Sequence, residues 1–131
     1  MASEPILIVD DNAANIKLAS FLLSVQGYDV KTAVDAADAL RALETFRPRL
    51  ILMDLQLPGM DGLSLTRLLR TDENTREILI VALTSYAMKG DEERARAAGC
   101  DGYITKPINT RTFPLTIASF LAADSVREPA R

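Results

Sequence analysis

The chain contains no histidine and a single cysteine among its 131 residues. The absence of imidazole side chains excludes a histidine-based zinc site and a Ser-His-Asp triad. One cysteine, Cys100, cannot form an intramolecular disulfide or a thiolate metal centre, and its small neighbours predict a buried position. Any chemistry that needs an imidazole must therefore draw on a partner protein.

Long hydrophobic runs and an excess of positive charge are also missing. No apolar stretch reaches the roughly 20 residues of a membrane span, and no signal peptide opens the chain, which favours a cytoplasmic protein. The formal net charge of −3 argues against DNA or RNA binding, which needs a basic surface. With 48% hydrophobic and 25% charged residues, the composition predicts one globular domain. We expect it to span residues 5–122, between short tails at 1–4 and 123–131.

Short apolar runs alternate with stretches of helical periodicity along the chain. The runs that predict strands are residues 6–9, 28–33, 50–53, 78–83 and 103–105. The fourth of the intervening helices is predicted over Met88 to Ala98, and Ala122 onward is expected to fray. This alternation predicts an α/β fold with a five-stranded parallel sheet, covered by helices on both faces. The flavodoxin-like strand order 2-1-3-4-5 fits best.

Polar side chains follow four of the predicted strands at the point where each strand ends. Asp10 and Asp11 follow the first strand, Asp54 the third, Thr84 the fourth and Lys106 the fifth. In the order 2-1-3-4-5 the first and third strands are neighbours, so the three acids are expected to meet in one crevice. Ligands bind at this edge of open α/β sheets.

The residue types at this edge indicate phosphoryl chemistry. Clustered carboxylates are hard oxygen ligands that suit Mg²⁺. An aspartate can also attack phosphorus and form an aspartyl phosphate. The transferring group then needs its oxygens neutralised, which an ammonium such as Lys106 and a hydroxyl such as Thr84 can do. The predicted site is a phosphoryl acceptor in outline.

With these residues in place, the sequence resembles the CheY-like receiver domain of two-component response regulators. It is similar in particular to the DivK-type single-domain regulators, and the resemblance covers about residues 5–122. The motifs that carry it occur in order and are Val9-Asp10-Asp11-Asn12, the segment from Met53 to Gly62, Ala82-Leu83-Thr84-Ser85, and Tyr103-Ile104-Thr105-Lys106-Pro107.

The resemblance implies a role for each residue of the crevice. Asp54 is the implied phosphoacceptor, and Lys106 pairs with the phosphoryl oxygens. Asp11 binds Mg²⁺ directly, Asp10 acts mainly through coordinated water, and Gln56 contributes its backbone carbonyl. The resemblance thus implies Mg²⁺ as the cofactor.

The resemblance also implies a switch and two kinds of partner. Thr84 moves toward the phosphate and Tyr103 turns inward with it, although Tyr103 also fits a half-buried strand aromatic without a switching role. Lys106-Pro107 resembles a cis peptide bond of the family, and Pro107 is assigned to the switch together with Thr84 and Tyr103. The donor is a sensor histidine kinase or a histidine phosphotransferase, and a downstream protein binds the face of helix 4, strand 5 and helix 5. Neither DNA nor a membrane is expected as a partner.

Other loop residues near the predicted site are expected to form turns or to affect the phosphoryl group. Pro58, Gly59 and Gly62 are read as turn formers. Tyr86 occupies a position that tunes phosphoryl lifetime in the family, as does Gln56. The small Ser85 and Ala87 leave access to the phosphoryl group.

Two other functions compete with a phosphorylated receiver. A haloacid dehalogenase-type phosphohydrolase also combines an aspartate nucleophile with Mg²⁺ and lysine, but it needs a second aspartate where this chain has Gln56, and a cap domain. A receiver that binds partners without phosphorylation, or one cut from a hybrid kinase, is the other alternative, which the intact acids and Lys106 disfavour.

Pro114 is the one residue that departs from the expected helical pattern. A helix capped by Asn109 would place it as the fifth helical residue, where proline removes a hydrogen bond and clashes. A helix capped by Thr112 would place it second, where proline is tolerated. We therefore predict a late start or a distorted first turn for the last helix.

Overall fold

The computed structural model describes residues 4–84 and 90–127. Five strands alternate with five helices in this part of the chain. The strands are β1 (Pro5–Val9), β2 (Asp29–Ala33), β3 (Leu50–Asp54), β4 (Leu79–Thr84) and β5 (Gly102–Thr105). The helices are α1 (Ala13–Val25), α2 (Ala36–Ala42), α3 (Gly62–Thr71), α4 (Asp91–Ala98) and α5 (Phe113–Arg127). The predicted type and order of the elements are confirmed, while the predicted start of the fourth helix at Met88 lies outside the described residues.

The strands form one parallel sheet in the predicted order β2-β1-β3-β4-β5. Because all pairings are parallel, the carboxyl ends of the strands lie at the same edge. The central strands β3 and β4 are buried along their whole length. The edge strand β2 differs from the apolar run that we expected, since Asp29, Lys31 and Thr32 are exposed. An edge strand packs on one neighbour only, which leaves room for polar side chains.

Two hydrophobic cores fill the space between the sheet and its helices, one on each face. Successive strand residues point to opposite faces, so Leu7 and Val9 belong to one core and Ile6 and Ile8 to the other. The first core contains the buried faces of α2, α3 and α4, and the second contains those of α1 and α5. Within the described ranges, no helix combines the length and the apolar character that crossing a bilayer requires.

Short polar residues fix the starts of the helices around the site. Asn12, Asp35 and Asp61 each accept the amide N–H of the residue three positions on, at 2.8–3.0 Å. The predicted cap at Asp35 is confirmed. Gly27 and Gly99 follow α1 and α4 with φ of 96° and 115°, a conformation that favours glycine.

The last helix begins late, as we predicted from the position of Pro114. Asn109 Oδ1 accepts the N–H groups of Arg111 and Thr112 at 3.0 and 3.1 Å, and the carbonyl oxygen of Asn109 accepts the N–H of Phe113 at 2.9 Å. These bonds form a capped turn that leads into the helix. Helix α5 then begins at Phe113 and Pro114 is its second residue, where a missing N–H is tolerated.

The C-terminal tail was predicted to begin at residue 123, before the end of the last helix. Helix α5 continues to Arg127, whereas residues 123–127 were expected to belong to a frayed tail. No glycine or proline occurs between Pro114 and Pro129, so nothing in the sequence stops the helix at Ala122.

Candidate functional site

The carboxyl edge of the sheet brings the predicted site residues together. Asp10 follows β1, Asp54 and Thr84 end β3 and β4, and Lys106 follows β5. Asp10, Asp54 and Thr84 are buried, with at most 3% of each residue exposed, and the Lys106 side chain is 11% exposed. Asp11 is exposed. Four enclosed polar groups therefore surround a site that opens to solvent beside Asp11.

The three acids form one cluster. Carboxylate oxygens of Asp10, Asp11 and Asp54 lie within 4.8 Å of one another. Backbone amides orient the two buried members, since Asn12 N–H donates to Asp10 Oδ1 at 2.9 Å and Gln56 N–H donates to Asp54 Oδ1 at 3.0 Å. In both cases the second oxygen, Oδ2, is left for other contacts.

Lys106 joins the two buried carboxylates. Its Nζ lies 3.3 Å from Asp10 Oδ2 and 3.3 Å from Asp54 Oδ2. The Lys106 N–H donates to the carbonyl oxygen of Thr84 at 2.7 Å, which fixes the backbone of the lysine against the end of β4. The Lys106-Pro107 peptide bond is cis, as the family resemblance implies.

The surroundings of Asp54 raise its pKa above the usual range. Burial is the largest cause, and the negative charge of Asp10 adds to it. The N–H of Gln56 and the ammonium of Lys106 act in the opposite direction, because both favour the ionised carboxylate. Additional positive charge beside Asp54 would therefore favour its charged form.

The donor set fits a divalent cation. Asp10 Oδ2 is buried and accepts no hydrogen bond from the residues that the structure describes, so its contact with Lys106 is an ion pair without hydrogen-bond alignment. The ammonium of Lys106 contacts two of the three carboxylates, which leaves an excess of negative charge in the cluster. Hard oxygen donors with this excess are the ligands that Mg²⁺ prefers.

Gly62 has a structural role that its reading as a turn former missed. A Cβ atom at this position would lie 2.3 Å from the carbonyl oxygen of Asp54 and 2.8 Å from Cα of Leu55. Its N–H donates to the carbonyl oxygen of Leu55 at 3.3 Å. The start of α3 thus packs directly on the backbone of Asp54, which only glycine allows. In the sequence, the short separation between Asp54 and Gly62 was only a weak signal for this contact.

Two of the residues predicted to form the switch, Thr84 and Tyr103, lie on adjacent strands, and Pro107 follows the second of these strands. Thr84 pairs in register with Thr105, and Tyr103 pairs with Ala82. Tyr103 is half-buried against the core that α2, α3 and α4 cover. Partial burial raises the pKa of its phenol, and so do the negative charges of Asp91 and Glu92 in α4.

Part of the predicted site lies beyond the structural description. Ser85, Tyr86 and Ala87 fall outside the described residues, so their predicted effects on lifetime and access stay predictions. Gln56 lies beside the cluster with its side chain exposed, and its N–H is the group that contacts Asp54.

Comparison with known proteins places this arrangement in a family. Residues 6–118 match the family model of the response regulator receiver domain. The polar-differentiation response regulator DivK of Brucella anthropi is 45% identical over 116 residues, which cover 88% of this chain and 94% of the relative. DivK of Brucella ovis is 44% identical over 119 residues, which cover 91% of this chain and 97% of the relative.

Solved structures agree with this result. A CheY-like receiver domain protein from Methanospirillum hungatei superposes with a TM-score of 0.87 at 30% identity, covering 95% of this chain and 98% of the other. The receiver domain of a sensor histidine kinase from Pseudomonas aeruginosa superposes with a TM-score of 0.83 at 36% identity, covering 92% and 98%. That structure has a magnesium ion coordinated in its active-site cleft.

Proposed function

Because this chain belongs to the response regulator receiver domain family, with DivK as a similar single-domain relative, we propose that Asp54 accepts a phosphoryl group from a phosphohistidine of a partner protein. The observation that carries this proposal is the position of Lys106 Nζ, 3.3 Å from Oδ2 of Asp54 and of Asp10. A cation held beside a buried carboxylate is suited to the charge that builds up when that carboxylate attacks phosphorus. The chain is a signalling protein rather than a turnover enzyme.

The geometry of Asp54 supports its role as the nucleophile. Its Oδ1 is occupied by the N–H of Gln56, so Oδ2 is the oxygen that would form the new bond to phosphorus. The bond between phosphorus and the imidazole nitrogen of the donor breaks, and its electron pair returns to that nitrogen, which takes up a proton. Lys106 would neutralise the phosphoryl oxygens from the side of β5. The donor must come from outside, since the chain has no histidine.

The acid cluster is the proposed Mg²⁺ site. Asp11 and Asp54 would supply carboxylate ligands, Gln56 its backbone carbonyl, and Asp10 would act mainly through coordinated water. When bound, Mg²⁺ neutralises charge on the transferring group and on the acids. The buried Asp10 Oδ2 without a hydrogen bond supports this role, because a water held by the cation would provide one.

The switch that we propose connects Thr84 to the face formed by α4, β5 and α5. Thr84 contacts the end of β5 directly, through the Lys106 N–H on its carbonyl oxygen and through its pairing with Thr105. A shift of Thr84 toward the phosphate would therefore act on β5, where Tyr103 lies beside the charged first turn of α4. Downstream proteins would bind this face, and sensor kinases or histidine phosphotransferases would act as donors. Because histidine phosphorylation draws on ATP, we propose a cytoplasmic location.

The test is phosphorylation by a small-molecule donor. Wild type, Asp54→Asn and Asp61→Asn are incubated with Mg²⁺ and acetyl phosphate, and intact mass is followed with time. Asp61 is a matched control, since it is an exposed cap of α3 in the same loop region and asparagine caps equally well. We expect a transient gain of one phosphoryl group on wild type and Asp61→Asn, and none on Asp54→Asn. Continuous release of phosphate from diverse phosphate esters would instead indicate a phosphohydrolase.

A further inference from the structure

The side chain of Arg70 connects the end of α3 to two other segments of the chain, the nearby residues 76–78 and the distant residues 99–101. Its Nε donates to Gly99 O at 2.9 Å, and its Nη1 donates to Arg76 O at 2.8 Å and Ile78 O at 2.7 Å. Its Nη2 donates to Asp101 Oδ2 at 2.7 Å. The last turn of α3 is thereby tied to the segments that lead into β4 and β5.

Asp101 carries this contact into the sheet. Its Oδ2 accepts the N–H of Ile80 at 2.9 Å, and its own N–H donates to Ile80 O at 2.7 Å. The first ladder pair of the two strands, Val81 with Gly102, follows directly. Asp101 therefore makes a two-point contact with Ile80 that sets the register of β5 on β4.

The register of β5 matters because Lys106 follows this strand directly. Strand β5 has four residues, lies at the edge of the sheet and pairs with β4 alone. Its interior residues Tyr103 and Ile104 are half-buried, and Thr105 is exposed. Short strands with one partner and little burial open locally at low free energy. A contact that holds the start of β5 restrains the residue at its end.

We propose that Asp101, held by Arg70, is a positioning residue for Lys106. Its contact with Ile80 keeps β5 in register, and this register places the Lys106 ammonium between Asp54 and Asp10. The role rests on the proposed function, in which Lys106 neutralises the phosphoryl group on Asp54.

Loss of this restraint has two consequences of opposite sign. A displaced ammonium stabilises the transferring phosphoryl group less well, so phosphorylation slows. The same ammonium lies against two carboxylates of the proposed cation site, where its like charge opposes Mg²⁺, so its displacement tightens Mg²⁺ binding. General destabilisation of the fold would not strengthen Mg²⁺ binding.

The test compares Asp101→Ala with three further variants of the full chain. Asp101→Asn keeps an oxygen that can accept the Ile80 N–H and is the conservative rescue. Arg70→Lys keeps the positive charge but loses the forked donors of the guanidinium. It therefore weakens the contact between Arg70 and Asp101 without changing Asp101. Ala19→Gly, buried in α1 on the other face of the sheet, is a control for general destabilisation. Acetyl phosphate reactions followed by intact mass give the phosphorylation rates, and Mg²⁺ titrations followed by amide chemical shifts give the affinities.

We expect Asp101→Ala to slow phosphorylation about tenfold. We expect the same variant to tighten Mg²⁺ binding about threefold. Arg70→Lys should change both quantities in the same directions, and Asp101→Asn should stay near wild type. In a Lys106→Met background, Asp101→Ala should leave the Mg²⁺ affinity unchanged, because the residue through which it acts is gone.

Two results would overturn the positioning role. One is an Asp101→Ala variant that matches wild type, or that loses phosphorylation rate without a gain in Mg²⁺ affinity. The other is a gain in affinity that persists in the Lys106→Met background. A wild-type protein that acetyl phosphate does not phosphorylate would refute the proposed function instead, and the Mg²⁺ titrations separate that outcome from the first two.

Discussion

Lys106 Nζ lies 3.3 Å from Asp54 Oδ2, and 2% of the Asp54 side chain is exposed. The ammonium has the same distance to Asp10 Oδ2, so one positive charge is shared by two buried carboxylates. The fold maintains this imbalance by packing the acids at the ends of neighbouring strands. A buried site with too little positive charge favours binding of a cation and stabilises the charged form of Lys106.

The first prediction concerns the shared ammonium. Lys106→Met leaves two buried carboxylates without a counter-charge, which we expect to lower the free energy of unfolding by about 3 kcal/mol at neutral pH without Mg²⁺. We also expect phosphorylation by acetyl phosphate to slow by about 100-fold, since a charge that stabilises the transition state is lost. Urea unfolding and intact mass measure the two effects. The exposed Lys17→Met is the control and should stay within about 0.5 kcal/mol of wild type. Equal effects in both variants would show that the charge pairing is irrelevant.

The second prediction follows from the raised pKa of Asp54. The folded state holds the proton of Asp54 more tightly than the unfolded state does, so protonated Asp54 stabilises the fold. This contribution is fully present below the ordinary aspartate pKa of about 3.9. It is lost as pH rises through the raised pKa of Asp54 in the folded protein. Asp54→Asn mimics the neutral form. Its stability advantage over wild type without Mg²⁺ should therefore grow with pH across this window and then level off.

Urea unfolding at a series of pH values measures this difference. A difference that is constant with pH would mean that the pKa of Asp54 is not raised. Phosphorylation of wild type should also slow as pH falls below the raised pKa, because the neutral carboxyl group is a poor nucleophile.

The third prediction separates two glycines that both lack room for a Cβ atom. At Gly62 the obstacle is the backbone of Asp54 and Leu55, which cannot move without shifting the nucleophile. At Gly102 the obstacle is the ring of Phe120, a half-buried side chain that can rotate away. We expect Gly62→Ala to cost about 3 kcal/mol and Gly102→Ala about 1 kcal/mol. Gly62→Ala alone should also slow phosphorylation. A Gly62→Ala protein with wild-type stability and rate would contradict the close packing of α3 on the site.

The strands, their order and the position of the site could be predicted from the sequence because they depend on local sequence patterns. Four apolar residues from Leu50 to Met53 can form a buried strand, and Asp54 ends it at the edge where ligands bind. The alternation of such runs with helical segments left few possible strand orders, and the observed order is the predicted one. Asp10, Asp11, Asp54 and Lys106 were therefore expected to lie together before any distance was known.

The contacts that depend on tertiary packing were not predicted. Arg70 follows the usual preference for a basic residue at the end of a helix, and nothing in its neighbours indicates four acceptors, two of them in the distant segment 99–101. Gly62 was read as a turn former because its contact with Asp54 arises only when α3 folds back on β3. The end of α5 was placed too early because no residue marks it, and the boundaries of helices without caps are the least predictable features.

The fourth prediction concerns the start of α5. Pro114→Ala restores an N–H at the second helical residue, which allows a bond to the carbonyl oxygen of Thr110 and an earlier helix start. Because proline is tolerated at this position, the free energy of unfolding should change by less than about 1 kcal/mol. Amide hydrogen exchange would show new protection at residue 114 and increased protection of the turn at 109–112. A loss of more than this amount would mean that the proline stabilises the observed start.

Chemical trapping of the phosphorylated residue tests the role of Asp54 most directly. Wild-type protein is phosphorylated with acetyl phosphate and Mg²⁺, treated at once with borohydride, digested and mapped by tandem mass spectrometry, with Asp54→Asn as the parallel sample. Borohydride reduces an aspartyl phosphate to homoserine, which marks the residue that carried the phosphoryl group. We expect homoserine at position 54 in wild type and at no position in the variant. Homoserine at position 10 or 11, or an unmarked Asp54 in protein that has gained phosphoryl mass, would contradict the assignment of Asp54 as the phosphoacceptor.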